Sequence, residues 1–321
     1  MNIVMMEIAS LGDDVDLTIF DALGTVTRYD MTSPDLEENI HRMQDADILV
    51  ANKFPLNADS LETIQNLKLI CLTATGTNNI DFSYVNKRGI AVCNVKGYST
   101  AVVAQHTFAL LLYLYEKLPF YDSYVKNGDY TRTRLFRVFD ERFSELDGKN
   151  FGIIGMGAIG QRVAKIAEAF GCHVQYYSTS GKNQSQPYDC VDIDTLLATS
   201  DVVSIHAPLT ESTRGLINRH TLRKMKSSAY LLNLGRGPII VERDLVEALN
   251  AGWIAGAGLD VLDNEPMNPD NPLLSIQDSR KLFITPHIGW ASLEARTRCI
   301  NEVYKNMEAW IHGEPRNIVT A

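Results

Sequence analysis

The ten residues FGIIGMGAIG (151–160) constrain the fold more than any other stretch of the chain. A short apolar run, Phe151 to Ile154, ends in Gly155-Met156-Gly157-Ala158-Ile159-Gly160, and helically spaced apolar residues follow to Phe170. In a G-x-G-x-x-G corner between strand and helix each glycine has its own task. Gly155 makes the tight turn, Gly157 lets an anionic ligand approach the backbone, and Gly160 lets helix and strand pack closely. Ala158 and Ile159 lie at the helix start, where free N–H groups and the positive end of the helix dipole hold pyrophosphate. No Gly-Lys-Ser/Thr follows, which excludes a P-loop. A second strand-like run, HVQYY (173–177), arrives where a dinucleotide-binding βαβ unit needs it.

Strand-like runs alternate with helical spacing along nearly the whole chain. ADILVA (46–51), LKLICLT (67–73), FGII (151–154), HVQYY, DVVSI (201–205), AYLLN (229–233) and 283–285 read as strands, and 36–43, 159–170 and 244–249 as helices. Such alternation predicts an α/β fold with parallel sheets. With 321 residues there is room for two domains, each with its own core. Two helical stretches, 100–125 (capped by Ser99 or Thr100) and 291–312, are longer than a crossover needs and could bridge domains. Between the first of them and the glycine corner, 126–150 is polar and without period, yet carries Tyr130, Leu135, Phe136, Val138, Phe139 and Phe143. Apolar groups on such an arm fit either a partner subunit or packing on the same chain.

A net charge of −9 with no dense Lys/Arg cluster argues against nucleic acid as a partner. The longest apolar stretch, 108–115, is too short to span a bilayer, and the N-terminus lacks the pattern of a signal peptide, so a cytoplasmic protein without a membrane partner is expected. The five cysteines are scattered, odd in number and never in C-x-x-C spacing, which predicts reduced thiols and no metal site.

The strand HVQYY ends where an Asp or Glu would hold both ribose hydroxyls of NAD and repel a 2′-phosphate. Ser178, Thr179 and Ser180 stand there instead, with Lys182 beside them. Hydroxyl donors and a cation suit a 2′-phosphate, so the cofactor is NAD(P), with the balance toward NADP(H) and NAD(H) still admissible.

Three later segments, NLGRG (233–237), GLDVLDNEP (258–266) and ITPHIGW (284–290), put Arg236, Glu265 and His287 at the ends of strand-like runs, the ligand side of an open α/β sheet. Hydride transfer at a secondary alcohol needs a proton carrier, which suits His287. A carboxylate beside an imidazole orients the ring and favours its protonated form, which suits Glu265. A guanidinium holds a substrate carboxylate with two parallel hydrogen bonds, which suits Arg236. Singly, each has an ordinary structural alternative; together, after a dinucleotide corner, they describe a dehydrogenase.

GYSTAVVAQHTFALLL (97–112), GMGAIG, HAPLTESTRGLIN (206–218), LLNLGRG, GAGLDVLDNEP and TPHIGW make the chain resemble the D-isomer-specific 2-hydroxyacid dehydrogenase family. The resemblance implies two doubly wound parallel-sheet domains. One is a Rossmann-type cofactor domain over 99–290; the other is a flavodoxin-like split catalytic domain made from 1–98 and 291–321. It implies Arg236, Glu265 and His287 as catalytic residues, Asp260 near the nicotinamide carboxamide, and His206-Ala207-Pro208 and Asn233 along the cofactor. It further implies that N–H groups near Thr75, Gly76 and Thr77 receive a substrate carboxylate, that Lys53 and Trp290 lie on the substrate side, and that 118–148 forms part of a homodimer contact. AQHTFALLL, NKFPL (52–56) and PHIGW resemble the glycerate dehydrogenase and hydroxypyruvate reductase branch. That implies reduction of hydroxypyruvate to D-glycerate, with glyoxylate as a second substrate. Gln105 and Asn78 depart from the family's more usual Glu and Asp. The competing readings are a dehydrogenase for another 2-oxo acid, of D-lactate or phosphoglycerate type, and a nucleotide-sensing corepressor, which has no need of all three catalytic residues.

Overall fold

The structure, a computed structural model, describes residues 1–314 and 316–320. The chain divides into two compact units, one of Met1–Ser99 with the residues from Ala291 on, the other of Thr100–Trp290.

In the first unit, strands β1 (Asn2–Met5), β2 (Thr25–Arg28), β3 (Ile48–Ala51), β4 (Leu69–Leu72) and β5 (Ala91–Cys93) form an all-parallel sheet in the order β2-β1-β3-β4-β5. This is the flavodoxin-like order. The runs ILVA and LICL are wholly buried, as central parallel strands covered on both faces must be, whereas the edge strand β2 reads TVTR and is half exposed. Helices α1 (Leu36–Met43), α2 (Ala58–Leu61) and α3 (Phe82–Lys87) are started by Asp35, Asn57 and Asp81, whose side chains accept from free N–H groups of the first turn.

The second unit begins with α4 (Thr100–Tyr115) and α5 (Leu118–Lys126). The single helix expected over 100–125 is therefore two: Lys117 turns left-handed at φ 58° and Pro119 restarts the chain. Seven parallel strands follow, β6 (Asn150–Ile154), β7 (His173–Tyr177), β8 (Asp189–Cys190), β9 (Val202–Ile205), β10 (Tyr230–Asn233), β11 (Gly256–Leu259) and β12 (Leu282–Ile284), in the order β12-β11-β10-β9-β6-β7-β8. Between them run α6 (Ala158–Ala169), α7 (Ile193–Thr199), α8 (Arg219–Leu222) and α9 (Glu242–Ala251). Strand order reverses between β6 and β9, which makes their carboxyl ends the switch point where an open sheet binds its ligand. The final helix, α10 (Leu293–Ile311), belongs to the first unit and starts at Ser292. After it, Ile318 bridges Cys93 antiparallel and covers the open edge of β5.

Strands β1, β2, β5, β8 and β11 escape the sequence reading for plain reasons. None exceeds four residues, and β11 reads GAGL, whose glycines carry no strand preference. Glycine is required there by packing: a Cβ on Gly258 would press on Leu110 and Leu232.

Candidate active site

At the end of β6 the chain turns through Gly155 at φ 95°, a conformation open to glycine, and a Cβ there would lie 2.8 Å from the backbone of Ala207. A Cβ on Gly160 would strike the Gly155 carbonyl oxygen, so the start of α6 rests directly on the turn. A Cβ on Gly157 would meet nothing within 4 Å. The first turn of α6 has no side-chain cap, and Gly157 and Ala158 are exposed. Bare N–H groups on an open face at a helix start fit a pyrophosphate. One strand over, the Ser178 hydroxyl is buried and has no hydrogen-bond partner among the described residues. Thr179 and Ser180 continue that turn, where Ser180 Oγ accepts from Lys182 N at 3.2 Å, and Lys182 is exposed with no carboxylate paired to it among the described residues. These groups fit a nicotinamide dinucleotide.

The loop after β9 crosses the same corner. Ala207 lies against both Gly155 and Gly235, while Pro208 is exposed. His206 turns Nε2 to Ser204 Oγ at 2.8 Å and leaves Nδ1 buried without a partner among the described residues. Burial pushes the imidazole down to about 3, so His206 is neutral near pH 7.

After β10, Asn233 shapes the turn that carries Arg236. Its Oδ1 accepts from Gly235 N at 3.0 Å and its Nδ2 donates to Arg236 O at 3.0 Å. Arg236 spends one donor on Gly235 O, 2.8 Å away, and no carboxylate pairs with it among the described residues. Gly237 is pressed against the backbone of Leu262 and Asp263, where any side chain would overlap it. That contact brings the Arg236 turn beside the turn holding Glu265, whose Oε1 accepts from Leu262 N at 3.0 Å.

Glu265 Oε2 and His287 Nδ1 are 2.6 Å apart. The side chains are 28% and 24% exposed, shielded but reachable. His287 has φ 55°, a left-handed conformation that costs a non-glycine residue on the order of 1 kcal/mol or more and persists where the surroundings impose it. The surroundings here are Asp260. Its buried carboxylate accepts from Thr285 Oγ1 (2.6 Å), Ile288 N (2.9 Å) and Gly289 N (2.8 Å), bracketing His287 on both sides. His106, from α4, completes the brace through Thr285 Oγ1 at 2.9 Å. Trp290 is half buried against the core of this unit.

Sequence reasoning thus places Arg236, Glu265 and His287 on turns that the second unit assembles. It misses that Asp260 and Asn233 are braces of those turns, and it misses His106 altogether, because a bond between positions 106 and 285 has no local signature. In the first unit, Thr75 Oγ1 donates to Val95 O at 2.7 Å, Gly76 and Thr77 are half buried beside it, and Lys53 lies exposed on the loop after β3.

Among the described residues no group of three His, Cys, Asp or Glu could hold a metal ion, and no helix is long and apolar enough to cross a membrane. Four of the five thiols are buried, and burial pushes Cys172 up to about 11 and Cys299 up to about 12, which leaves both as thiols rather than nucleophiles.

The chain matches the description "D-isomer specific 2-hydroxyacid dehydrogenase, NAD binding domain" over residues 108–289. It is 41% identical to a hydroxypyruvate reductase of Blautia hydrogenotrophica over 95% of each chain, and 38% identical to a glycerate dehydrogenase of Methylorubrum extorquens over 89% of each. Its fold superposes with a TM-score of 0.84 on an NADPH-dependent glyoxylate/hydroxypyruvate reductase from Sinorhizobium meliloti, solved with NADP and malonate, at 26% identity over 99% of this chain and 96% of the other.

Proposed function

Since this chain belongs to the D-isomer-specific 2-hydroxyacid dehydrogenase family, and is an NAD(P)-dependent oxidoreductase of 2-hydroxy acids, we propose that it reduces hydroxypyruvate to D-glycerate, with glyoxylate as a second substrate. The observation that carries this reading is the 2.6 Å pair of His287 and Glu265, with Arg236 on the neighbouring turn and no carboxylate paired to it among the described residues. The two nearly full-length relatives named for hydroxypyruvate and glycerate support the substrate.

The bound nicotinamide supplies the hydride for reduction and takes it up in oxidation. The chain's own residues do the rest. Arg236 fixes the substrate carboxylate with its guanidinium fork, which aims the adjacent carbonyl. In the first unit, N–H groups at Thr75, Gly76 and Thr77, with Lys53, are substrate-side groups, as Trp290 is in the second. His287 donates a proton from Nε2 to the carbonyl oxygen as it becomes a hydroxyl, while Nδ1–H is held by Glu265; in the oxidative direction Nε2 takes that proton back. Glu265 fixes the ring's tautomer and puts a negative charge beside the positive one that develops.

The cofactor reading leans to NADP(H). The partnerless Ser178 hydroxyl, the absence of a carboxylate at the end of β7 and the exposed Lys182 supply donors and a cation for a 2′-phosphate and remove the group that would repel it. The assembly is a homodimer through the arm of residues 118–148, and the compartment the cytoplasm. Loss of nicotinamide absorbance with hydroxypyruvate, run in parallel with NADH and NADPH at equal concentrations, tests the substrate and the coenzyme. Turnover with either supports the substrate, a kcat/KM preference for NADPH of about tenfold or more supports the 2′-phosphate site, and turnover with neither overturns the reading.

A further inference from the structure

Glu7 stands at the end of β1 in a left-handed conformation, φ 61° and ψ 31°, that a glutamate adopts only when held there. Its side chain pairs with no cation among the described residues. It reaches across the sheet to the loop leaving β3, where Oε2 accepts from three consecutive backbone N–H groups, Asn52 at 2.9 Å, Lys53 at 3.0 Å and Phe54 at 3.1 Å. Consecutive N–H groups converging on one point form a concave anion site. In this chain the anion is internal, and bonds to an ionised acceptor are the stronger kind. The unusual backbone is fastened in turn: Glu7 O accepts from Ser10 N and Ser10 Oγ, and Asn52 Nδ2 donates to Ser10 Oγ at 3.1 Å.

The clamped loop is itself tied onward. Asn79 Nδ2 donates to Phe54 O at 2.9 Å, and Asn79 O accepts from Leu56 N at 2.8 Å, so loop 52–56 is tied to loop 74–81 at two points. On its other side the second loop is fixed by Asn94 Nδ2, which donates to Thr75 O at 2.7 Å. We propose that Glu7 is a positioning residue for substrate binding: its carboxylate fixes loop 52–56, and through Asn79 that loop fixes the turn at Thr75, Gly76 and Thr77. The role rests on the reading of that turn as the seat of the substrate carboxylate. A carboxylate suits the task because no neutral side chain of similar length gathers three N–H groups onto one atom as strongly.

The test compares wild type with Glu7→Ala, Glu7→Gln and Asn79→Ala in steady-state reduction of hydroxypyruvate, with amide hydrogen exchange on the same proteins. Glu7→Ala is expected to raise KM for hydroxypyruvate by about tenfold while KM for the coenzyme, bound by the other unit, stays within about twofold. Glu7→Gln keeps an accepting oxygen without the charge and falls between. Amides of residues 52–54 exchange faster in Glu7→Ala while those of β6 to β12 keep wild-type protection. Should Glu7→Ala fail to fold, Glu7→Gln and Asn79→Ala must each raise the hydroxypyruvate KM selectively. An unchanged hydroxypyruvate KM in an active enzyme, or an equal rise in both KM values, overturns the role of Glu7 and leaves the substrate assignment standing. A wild-type enzyme that turns over neither hydroxypyruvate nor glyoxylate overturns the substrate assignment, and the positioning role falls with it.

Discussion

His287 Nδ1 and Glu265 Oε2 lie 2.6 Å apart, although the two residues come from turns after different strands. Two independent backbone devices make that distance: the Asp260 carboxylate that brackets His287, and the Glu265 Oε1 bond to Leu262 N. One carboxylate oxygen thus anchors Glu265 to its own turn while the other holds the imidazole. His287→Ala should lower kcat by about 10³-fold with coenzyme binding retained, and Glu265→Gln, which keeps a hydrogen bond but no charge, by about 10²-fold. Stopped-flow single turnovers and a coenzyme fluorescence titration separate the two quantities. A His287→Ala enzyme with near wild-type turnover would remove the proton-transfer assignment.

Arg236 spends one donor on Gly235 O, and no carboxylate is paired with it among the described residues. Replacing it by lysine keeps the charge and loses the planar fork. Arg236→Lys should therefore raise KM for the 2-oxo acid and cut kcat/KM by about 10²-fold, about 2.7 kcal/mol. The decisive control is coenzyme affinity, which should not move; if it falls equally, the residue serves the turn rather than the substrate.

Much of this candidate site is legible in the sequence, and the reason is local chemistry. A glycine at Gly155 or Gly160 reports a turn that tolerates nothing else, and Arg236, Glu265 and His287 sit in motifs dense enough to recognise. The first unit was less legible. Its clamp joins Glu7 to residues 45 to 47 positions further on, and the brace on His287 joins position 106 to 285. Hydrogen bonds of such span leave no periodicity, since each partner is an ordinary polar residue on a loop. The break at Lys117 was hidden for another reason: apolar spacing runs straight through it, and only the φ of one residue and Pro119 divide the helix.

The arm carries Phe136 at 82% exposure and Phe139 at 68%, with the Arg137 guanidinium over both rings, 5.4 and 5.1 Å from their centroids. Of the two alternatives for these residues, exposure on this scale favours a partner surface. Wild type should sediment as a dimer at micromolar concentration, and Phe136→Asp combined with Phe139→Asp as a folded monomer. Identical sedimentation of the two proteins would place the contact elsewhere.

His206 links burial to acid stability. Its folded value is pushed down to about 3 from an ordinary 6.5, so between these limits the unfolded chain takes up a proton that the folded chain refuses. Acid then favours unfolding: this contribution is intact above about pH 6.5 and is lost as pH falls toward 3, at up to ~1.4 kcal/mol per pH unit. His206→Asn should lose less Tm between pH 7 and pH 4.5 than wild type when both are scanned without coenzyme. Parallel curves would mean that the ring is already charged in the folded state.

Ser178 offers the sharpest test of cofactor choice, because its hydroxyl is buried, without a partner among the described residues, and placed where the fold usually sets a carboxylate. Ser178→Asp introduces an acceptor for ribose hydroxyls and, in the same atom positions, a charge that repels a 2′-phosphate. If wild type uses the hydroxyl to hold that phosphate, the substitution should lower kcat/KM with NADPH by about 10²-fold, about 2.7 kcal/mol, and leave or improve the value with NADH. Lys182→Ala should weaken NADPH alone, by a smaller factor that shrinks as salt is added, since an exposed cation is screened. The two effects are distinguishable: repulsion from a shielded charge close to the phosphate is screened much less by salt than the loss of an exposed cation. Should Ser178→Asp slow both coenzymes equally, the end of β7 shapes the pocket without reading the 2′ position, and the preference for NADP(H) has no basis in this turn.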